Sequence, residues 1–147
     1  MIRAVKLARK LWKMTVRYMK ANVQHLTTSL RGSFCLAFHK SFTNHSVAQQ
    51  LCAKDGGQII NVDTTERYDL VLKNATSVGI HIQGERRVAG GPFFDDAGKS
   101  PEDRPFFKWA SGEPDNTSNE LYLAIYSTGV YDVSGTIGCY VFCEIRQ

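Results

Sequence analysis

The sequence predicts an α+β domain preceded by an amphipathic N-terminal helix. Three observations carry this prediction: a heptad of apolar residues at the N-terminus, two helical segments after it, and short apolar runs late in the chain. Helices early and strands late favour an α+β arrangement over alternating βαβ units. With 147 residues, 43% of them hydrophobic, the chain is long enough for one domain and an appendage. We assign residues 1–32 to the appendage, called the arm below, and residues 33–147 to the domain.

The arm has the clearest periodicity in the chain. Apolar residues recur every seven positions in two rows, broken only at Arg9: Ile2, Val16, Val23 and Leu30, and Val5, Trp12, Met19 and Leu26. This a/d pattern predicts an oligomerising coiled-coil helix. Basic residues form a cationic stripe beside it: Arg3, Lys6, Lys10, Lys13, Arg17 and Lys20. The stripe favours a further use of the arm, in binding a polyanion or an anionic membrane surface.

Charge divides the chain into a basic and an acidic part. No Asp or Glu precedes Asp55, whereas that stretch contains ten Lys and Arg. From Asp55 onward the chain has eight basic and fourteen acidic residues. A basic arm is therefore joined to an acidic domain. No run of about 18 apolar residues occurs, so the sequence predicts no transmembrane helix.

The first half of the domain predicts two strands and two helices. The weak alternation of Phe34 to Phe42 predicts a strand. Asn44 or Ser46 can cap a helix that includes Cys52 and ends at the glycine pair of residues 56–57. A short strand over residues 58–62 follows, and Asp63 with Glu66 makes a capping-box-like start for a second helix that includes residues 68–72.

The second half predicts strands around a long loop. Alternation over Ser77 to Ile82 and the apolar runs Leu121 to Ile125 and Tyr140 to Ile145 predict three strands. Residues 83–108 hold three of the four prolines and show no period. A loop of this length in a compact domain is usually functional or disordered.

The cysteines and the glycosylation sequons favour a secreted chain. Two disulfides can join Cys35, Cys52, Cys139 and Cys143, and the sequence leaves three pairings open. Sequons begin at Asn44, Asn74 and Asn116, so we expect a glycoprotein. The N-terminus is a poor signal peptide, because charges interrupt its apolar residues. We give more weight to the cysteines and sequons, and expect that a leader is missing from this chain.

An unusual concentration of oxygen ligands surrounds Pro114. Calcium takes six to eight oxygens from carboxylates, carbonyls and water. The candidate metal ligands are Glu113, Asp115, Asn116, Glu120 and Asp132. A cis peptide bond before Pro114 would direct the flanking side chains to one side.

Other chemistry has no motif in this sequence. The four histidines lack the HExxH spacing of a zinc enzyme, and no CxxC occurs. Neither GxGxxG nor a P-loop is found, so no nucleotide is expected. No Ser or Cys has an identifiable base. We therefore expect a binding protein rather than an enzyme.

The order of several motifs resembles the C-type lectin domain. The helix ending in Cys52 is followed by Lys-Asp-Gly-Gly, and W-x-x-x-E-P-D covers residues 109–115. Glu120, a Gly-Val-Tyr-Asp turn at residues 129–132 and F-C-E at residues 142–144 come next. The arm resembles the trimerising neck of collectins. The resemblance implies a C-type lectin-like fold with two helices, small antiparallel sheets and a long loop region.

The resemblance also implies a function and the residues that carry it. Cys52 pairs with Cys143, and Trp109 is a core residue beneath the loop. A calcium-dependent, oligomeric lectin is expected, in which one set of carboxylates binds calcium and sugar together: Glu113, Asp115, Glu120 and Asp132. The expected partners are a glycan and, through the arm, two further copies of the chain.

Several departures from the family pattern leave a second function open. Glu-Pro-Asp is a hybrid of the triplets for mannose-type and galactose-type sugars, and Val133 stands where the family has a carboxylate. Tyr122 and a residue near Gly135 stand at the positions of a second family disulfide. Cys35 and Cys139 are additions, which we expect to pair with each other. The alternative is a C-type-lectin-like module that binds protein without sugar.

Overall fold

The computed structural model describes residues 26–28 and 34–146 of the chain, which form helices and strands as follows. The strands are β1 (Leu26–Thr28), β2 (Phe34–Thr43), β3 (Gly57–Ile59), β4 (Ile80–Glu85), β5 (Glu120–Tyr126), β6 (Gly129–Ser134) and β7 (Cys139–Arg146). The helices are α1 (His45–Lys54), α2 (Thr65–Asn74) and a 3-10 turn at Pro101–Asp103. No helix among these residues is long and apolar enough to cross a membrane.

The described strands form one connected mixed sheet rather than small antiparallel sheets. Its order is β1-β2-β7-β4-β5-β6, and β3 adds to β7. Parallel pairing joins β4 to β7, and the other pairings are antiparallel. The predicted α+β class with two helices is confirmed, and the arrangement of the sheet is corrected.

The two helices begin at the kind of residue that the sequence predicts. The Asn44 side chain accepts a hydrogen bond from the Val47 amide at 2.9 Å, which satisfies one free donor at the start of α1. In α2 the cap is Thr64, whose hydroxyl accepts from the Arg67 amide, rather than the predicted Asp63. Both helices lie beside the sheet and bury one face against it.

Two strands occur where the sequence predicts other structure. Gly129–Ser134, whose start we predicted as a turn, is strand β6, and it pairs with β5 from Tyr126 to Glu120. Leu26–Thr28, predicted as helix and helix end, is strand β1, in which Leu26 pairs with Ala37. The rest of the predicted coiled-coil helix lies outside the described residues, as does the cationic stripe.

One of the two predicted disulfides is formed. Cys52 and Cys143 are bonded, which ties α1 to β7. The predicted Cys35–Cys139 disulfide is wrong, because Cys35 pairs with Ile145 and Cys139 pairs with Thr43 at the other end of β2. Strand geometry separates these positions by more than about 20 Å, far beyond the reach of about 7 Å between bridged Cα atoms. The thiol of Cys139 is unbridged and buried, 3.7 Å from the Tyr126 hydroxyl.

The core lies between the sheet, the helices and the long loop. Phe38 stacks on Phe142 with ring centroids 4.1 Å apart, and Phe93 from the loop is fully buried among them. Trp109 is half-buried against this core and meets the Phe107 ring edge-on at 5.0 Å. The backbone of Trp109 also bridges to Val130, so the loop that follows Trp109 starts from a fixed position beside β6.

Candidate functional site

The candidate site lies on the segment from Glu113 to Glu120, which we call the acidic loop, and on Asp132 of β6. The loop leaves the core after Ala110, whose amide donates to the Val130 carbonyl at 2.9 Å. Gly112 has φ 84° and the Glu113–Pro114 peptide bond is cis. The chain then turns back at Asn116, which has φ 60°, and enters β5 at Glu120.

Asp132 is the buried acceptor that holds the acidic loop against β6. Its side chain is fully buried, and its carboxylate accepts hydrogen bonds from the backbone amides of Asp115 and Asn116, both at 3.2 Å. Asp115 in turn accepts from the Thr117 amide at 3.0 Å and the Thr117 hydroxyl at 2.8 Å. The backbone of the loop is thereby fixed by carboxylate oxygens.

Three of the predicted metal ligands come together. Three carboxylate oxygens lie within 4.8 Å of one another, one each from Asp115, Glu120 and Asp132. Oε2 of Glu120 is buried and has no hydrogen-bond partner. A buried carboxylate oxygen without a donor is costly unless a cation or a proton meets it.

The carboxylates of the loop disfavour one another's ionisation. Burial, and then the neighbouring Asp132 and Asp115, raise the pKa of Glu113 to about 7. Burial likewise raises the pKa of Glu120 to about 7, together with Asp115 and Asp132. The pKa of Asp115 is lowered, by a hydrogen bond shared with Glu120 and then by Thr117. Burial together with like charges at short range raises the two glutamate pKa values, and a bound cation would lower them.

A residue that the sequence analysis did not single out lies at the base of the same site. The Arg86 guanidinium donates to Asp132 Oδ2 at 2.6 Å and to Asn116 Oδ1 at 2.9 Å. Asn116, a predicted metal ligand, therefore has its carbonyl oxygen engaged by a protein donor. Arg86 lies in the unpatterned stretch after β4, and no local signal links it to Asp132, 46 positions later.

Val133 faces away from the acidic loop. It is 6% exposed and packs with Ala124 and Cys139, whereas Asp132 faces the loop. Successive side chains of a strand point to opposite faces, and of these two residues of β6 only Asp132 lies with the carboxylates of the loop. Tyr122 and Gly135, at the positions of the second family disulfide, are neighbours, since a Cβ on Gly135 would lie 2.9 Å from the Tyr122 ring.

Known proteins match both the sequence and this fold. C-type lectin 37Db of Drosophila melanogaster is 29% identical over 114 residues, which cover 71% of this chain and 72% of that protein. No family model matches the chain. The C-type lectin domain of murine dendritic cell inhibitory receptor 2, solved in complex with an N-glycan, superposes with a TM-score of 0.67. It is 17% identical, and the match covers 83% of this chain and 96% of that one.

This chain has the C-type lectin-like fold. A calcium-independent type II antifreeze protein has the same fold, with a TM-score of 0.64 at 16% identity over 83% of this chain and 96% of its own. The predicted family resemblance and fold class are thereby confirmed for the domain. The predicted collectin-like neck lies outside the described residues except for Leu26–Thr28, which is strand β1.

Proposed function

We propose that the chain is a carbohydrate-binding lectin whose acidic loop binds calcium and a glycan together. The observation that carries the proposal is the surplus of carboxylates on one loop of a lectin fold. Asp115, Glu120 and Asp132 converge there, Glu113 interacts with two of them, and the Arg86 guanidinium offsets the charge of Asp132. The unpartnered oxygen of Glu120 fits an added cation.

The proposed calcium ligands are the four carboxylates without Asn116. The raised pKa values of Glu113 and Glu120 indicate a shortage of positive charge around them. A bound calcium ion would supply that charge. Two vicinal hydroxyls of a sugar can complete the coordination of such an ion, while the carboxylates accept hydrogen bonds from those hydroxyls. The glycan-bound receptor domain with this fold supports the choice of ligand class.

The compartment and the assembly are further parts of this proposal. The disulfide between Cys52 and Cys143 supports an extracellular location, because such bonds persist in oxidising compartments. A trimer formed by the arm would present several weak sugar sites to one glycan surface and raise the avidity. A glycan on the exposed Asn116 would lie at the rim of the loop.

Calcium titration by calorimetry tests the proposal. We expect a dissociation constant of about 10⁻⁴–10⁻³ M, the weak range typical of extracellular calcium sites. Asp115→Ala should weaken calcium binding at least about tenfold and abolish calcium-dependent binding of mannose or galactose. Asp69→Asn, which removes an exposed carboxylate on α2, is the matched control and should change neither.

A second candidate function is recognition of a protein without calcium or sugar. The contacts of Arg86 with Asp132 and Asn116 favour it, since the guanidinium already occupies oxygens that a metal would use. The calcium-independent neighbour shows that the fold forms in a protein that needs no calcium. If several millimolar calcium produces no heat of binding in calorimetry and leaves the melting temperature unchanged, protein recognition is favoured over the lectin function.

A further inference from the structure

The most deeply buried charge of the described residues lies beneath the acidic loop. The side chain of Arg86 is 1% exposed, and that of its partner Asp132 is fully buried. A charge this far from water is costly unless neighbouring groups pair with it and accept its hydrogen bonds. The hydrogen-bond acceptors around Arg86 therefore indicate which segments its charge stabilises.

The guanidinium joins three separate segments of the chain. Its Nε and Nη2 donate to the carbonyl of Glu120 at 2.9 and 2.7 Å, where β5 begins. Nη1 donates to the Asn116 side chain on the loop, and Nη2 also donates to Asp132 on β6. The carbon of the guanidinium lies 4.5 Å from the centroid of the Phe93 ring, which covers it from the core side.

These contacts extend to the loop backbone through one carboxylate. Asp132 accepts from Arg86 and also from the amides of Asp115 and Asn116. Arg86 thus draws oxygens from the loop, β5 and β6 around one positive centre. A metal ion organises a loop in the same way, by collecting oxygens from segments distant in sequence.

We propose that Arg86 is an internal cation that organises the acidic loop without calcium, so that any calcium joins a loop already formed. Arg86 is a positioning residue in this proposal, because its side chain is buried and acts through Asp132 and Asn116. The inference concerns the site of the proposed lectin function, but it requires neither calcium nor sugar to bind.

Hydrogen exchange of two amides tests the inference in the full chain. The amides of Asp115 and Asn116, which donate to Asp132, should be protected in EDTA, and calcium should change their exchange rates by less than about threefold. Arg86→Gln should raise both rates in EDTA at least tenfold. The exchange rates of Arg86→Lys should lie between those of the unmodified chain and Arg86→Gln, since an ammonium keeps the charge but lacks the planar set of donors of a guanidinium.

Controls separate this effect from loss of the fold. Arg87→Gln removes an exposed arginine next to Arg86 and should leave both amides protected. The amide of Ile125, in the buried part of β5, reports whether the sheet remains folded in each variant. If Arg86→Gln unfolds the sheet, the exchange of the unmodified chain decides whether the loop needs calcium, and Arg86→Lys tests the role of the guanidinium.

Two results would overturn the inference. One is exchange of Asp115 and Asn116 at unprotected rates in EDTA, with protection only after calcium is added. The other is unchanged protection of both amides in a folded Arg86→Gln variant. A protected loop that binds neither calcium nor sugar would contradict the lectin proposal and support the role of Arg86.

Discussion

Removing the Cys52–Cys143 disulfide should destabilise the domain more than any loss of a single surface contact. The bond joins residues 91 positions apart, and both cysteines are fully buried between α1 and β7. In the chain-entropy model, closing a loop of this length removes about 16 cal/mol/K from the unfolded state. The double variant Cys52→Ala with Cys143→Ala should therefore lose about 4–5 kcal/mol at 25 °C.

Urea unfolding of the full chain measures this loss. The slope of the free energy of unfolding against urea should also increase, because the unfolded chain expands once the bridge is gone. Cys139→Ala is the matched control, since it removes a buried thiol that forms no bridge. It should cost about 1 kcal/mol, as expected for a small cavity.

Thiol labelling gives an independent check on the pairing. In the folded chain Cys139 should react slowly because it is buried, and after unfolding without reductant it should react fully, while Cys52 and Cys143 stay bonded. A loss below about 1 kcal/mol in the double variant would refute the entropy argument. A peptide that joins Cys35 to Cys139 or to Cys52 would refute the pairing itself.

Three further predictions concern acid, β6 and the arm. Burial, and then His81, lower the pKa of His45 to about 4, whereas the unfolded imidazole takes up its proton near 6.5. Protonation of His45 should cost the folded state about 3 kcal/mol as the pH falls from 6.5 to 4, measured as the difference in urea unfolding between the unmodified chain and His45→Gln. Val133→Asp should lower the free energy of unfolding by about 1–3 kcal/mol and leave calcium affinity unimproved in calorimetry, because the new carboxylate is buried away from the loop. Substitution of Lys6, Lys13 and Lys20 in the arm by Glu should abolish salt-sensitive retention on a heparin column. Unaltered retention would exclude a polyanion site at these residues.

Local patterns predicted the helices well because the decisive contacts are short in sequence. Asn44 caps α1 through Val47 only three positions later, a signal that a single sequence contains. The glycine pair at residues 56–57 ends the same helix as predicted. The motif order around Trp109 and Cys143 identified the fold because several residues had to match in sequence at once.

The missed strands show where local patterns compete. Leu26 fits the seven-residue period of the arm, yet it pairs with Ala37 in the sheet, so tertiary pairing outweighs the helical period there. Gly129 and the residues after it read as a turn, but their backbone groups pair with β5. The wrong Cys35–Cys139 pairing has a related cause, because neighbouring strands were predicted without their register.

The candidate site shows a different limit, which concerns charge balance. Carboxylates gathered on a short loop are visible in a sequence, and a cation beside them would reduce their mutual repulsion. The sequence does not say whether that cation is a metal or a side chain, because Arg86 and Asp132 are 46 positions apart and meet only through the pairing of β4, β5 and β6. Arg86 offsets the charge of the deepest carboxylate, Asp132, and leaves Glu113 and Glu120 with pKa values of about 7. Two cations can therefore act on this loop at different depths. The fixed guanidinium holds the backbone at the base, and an exchangeable ion can bind nearer the rim, where a sugar can reach it.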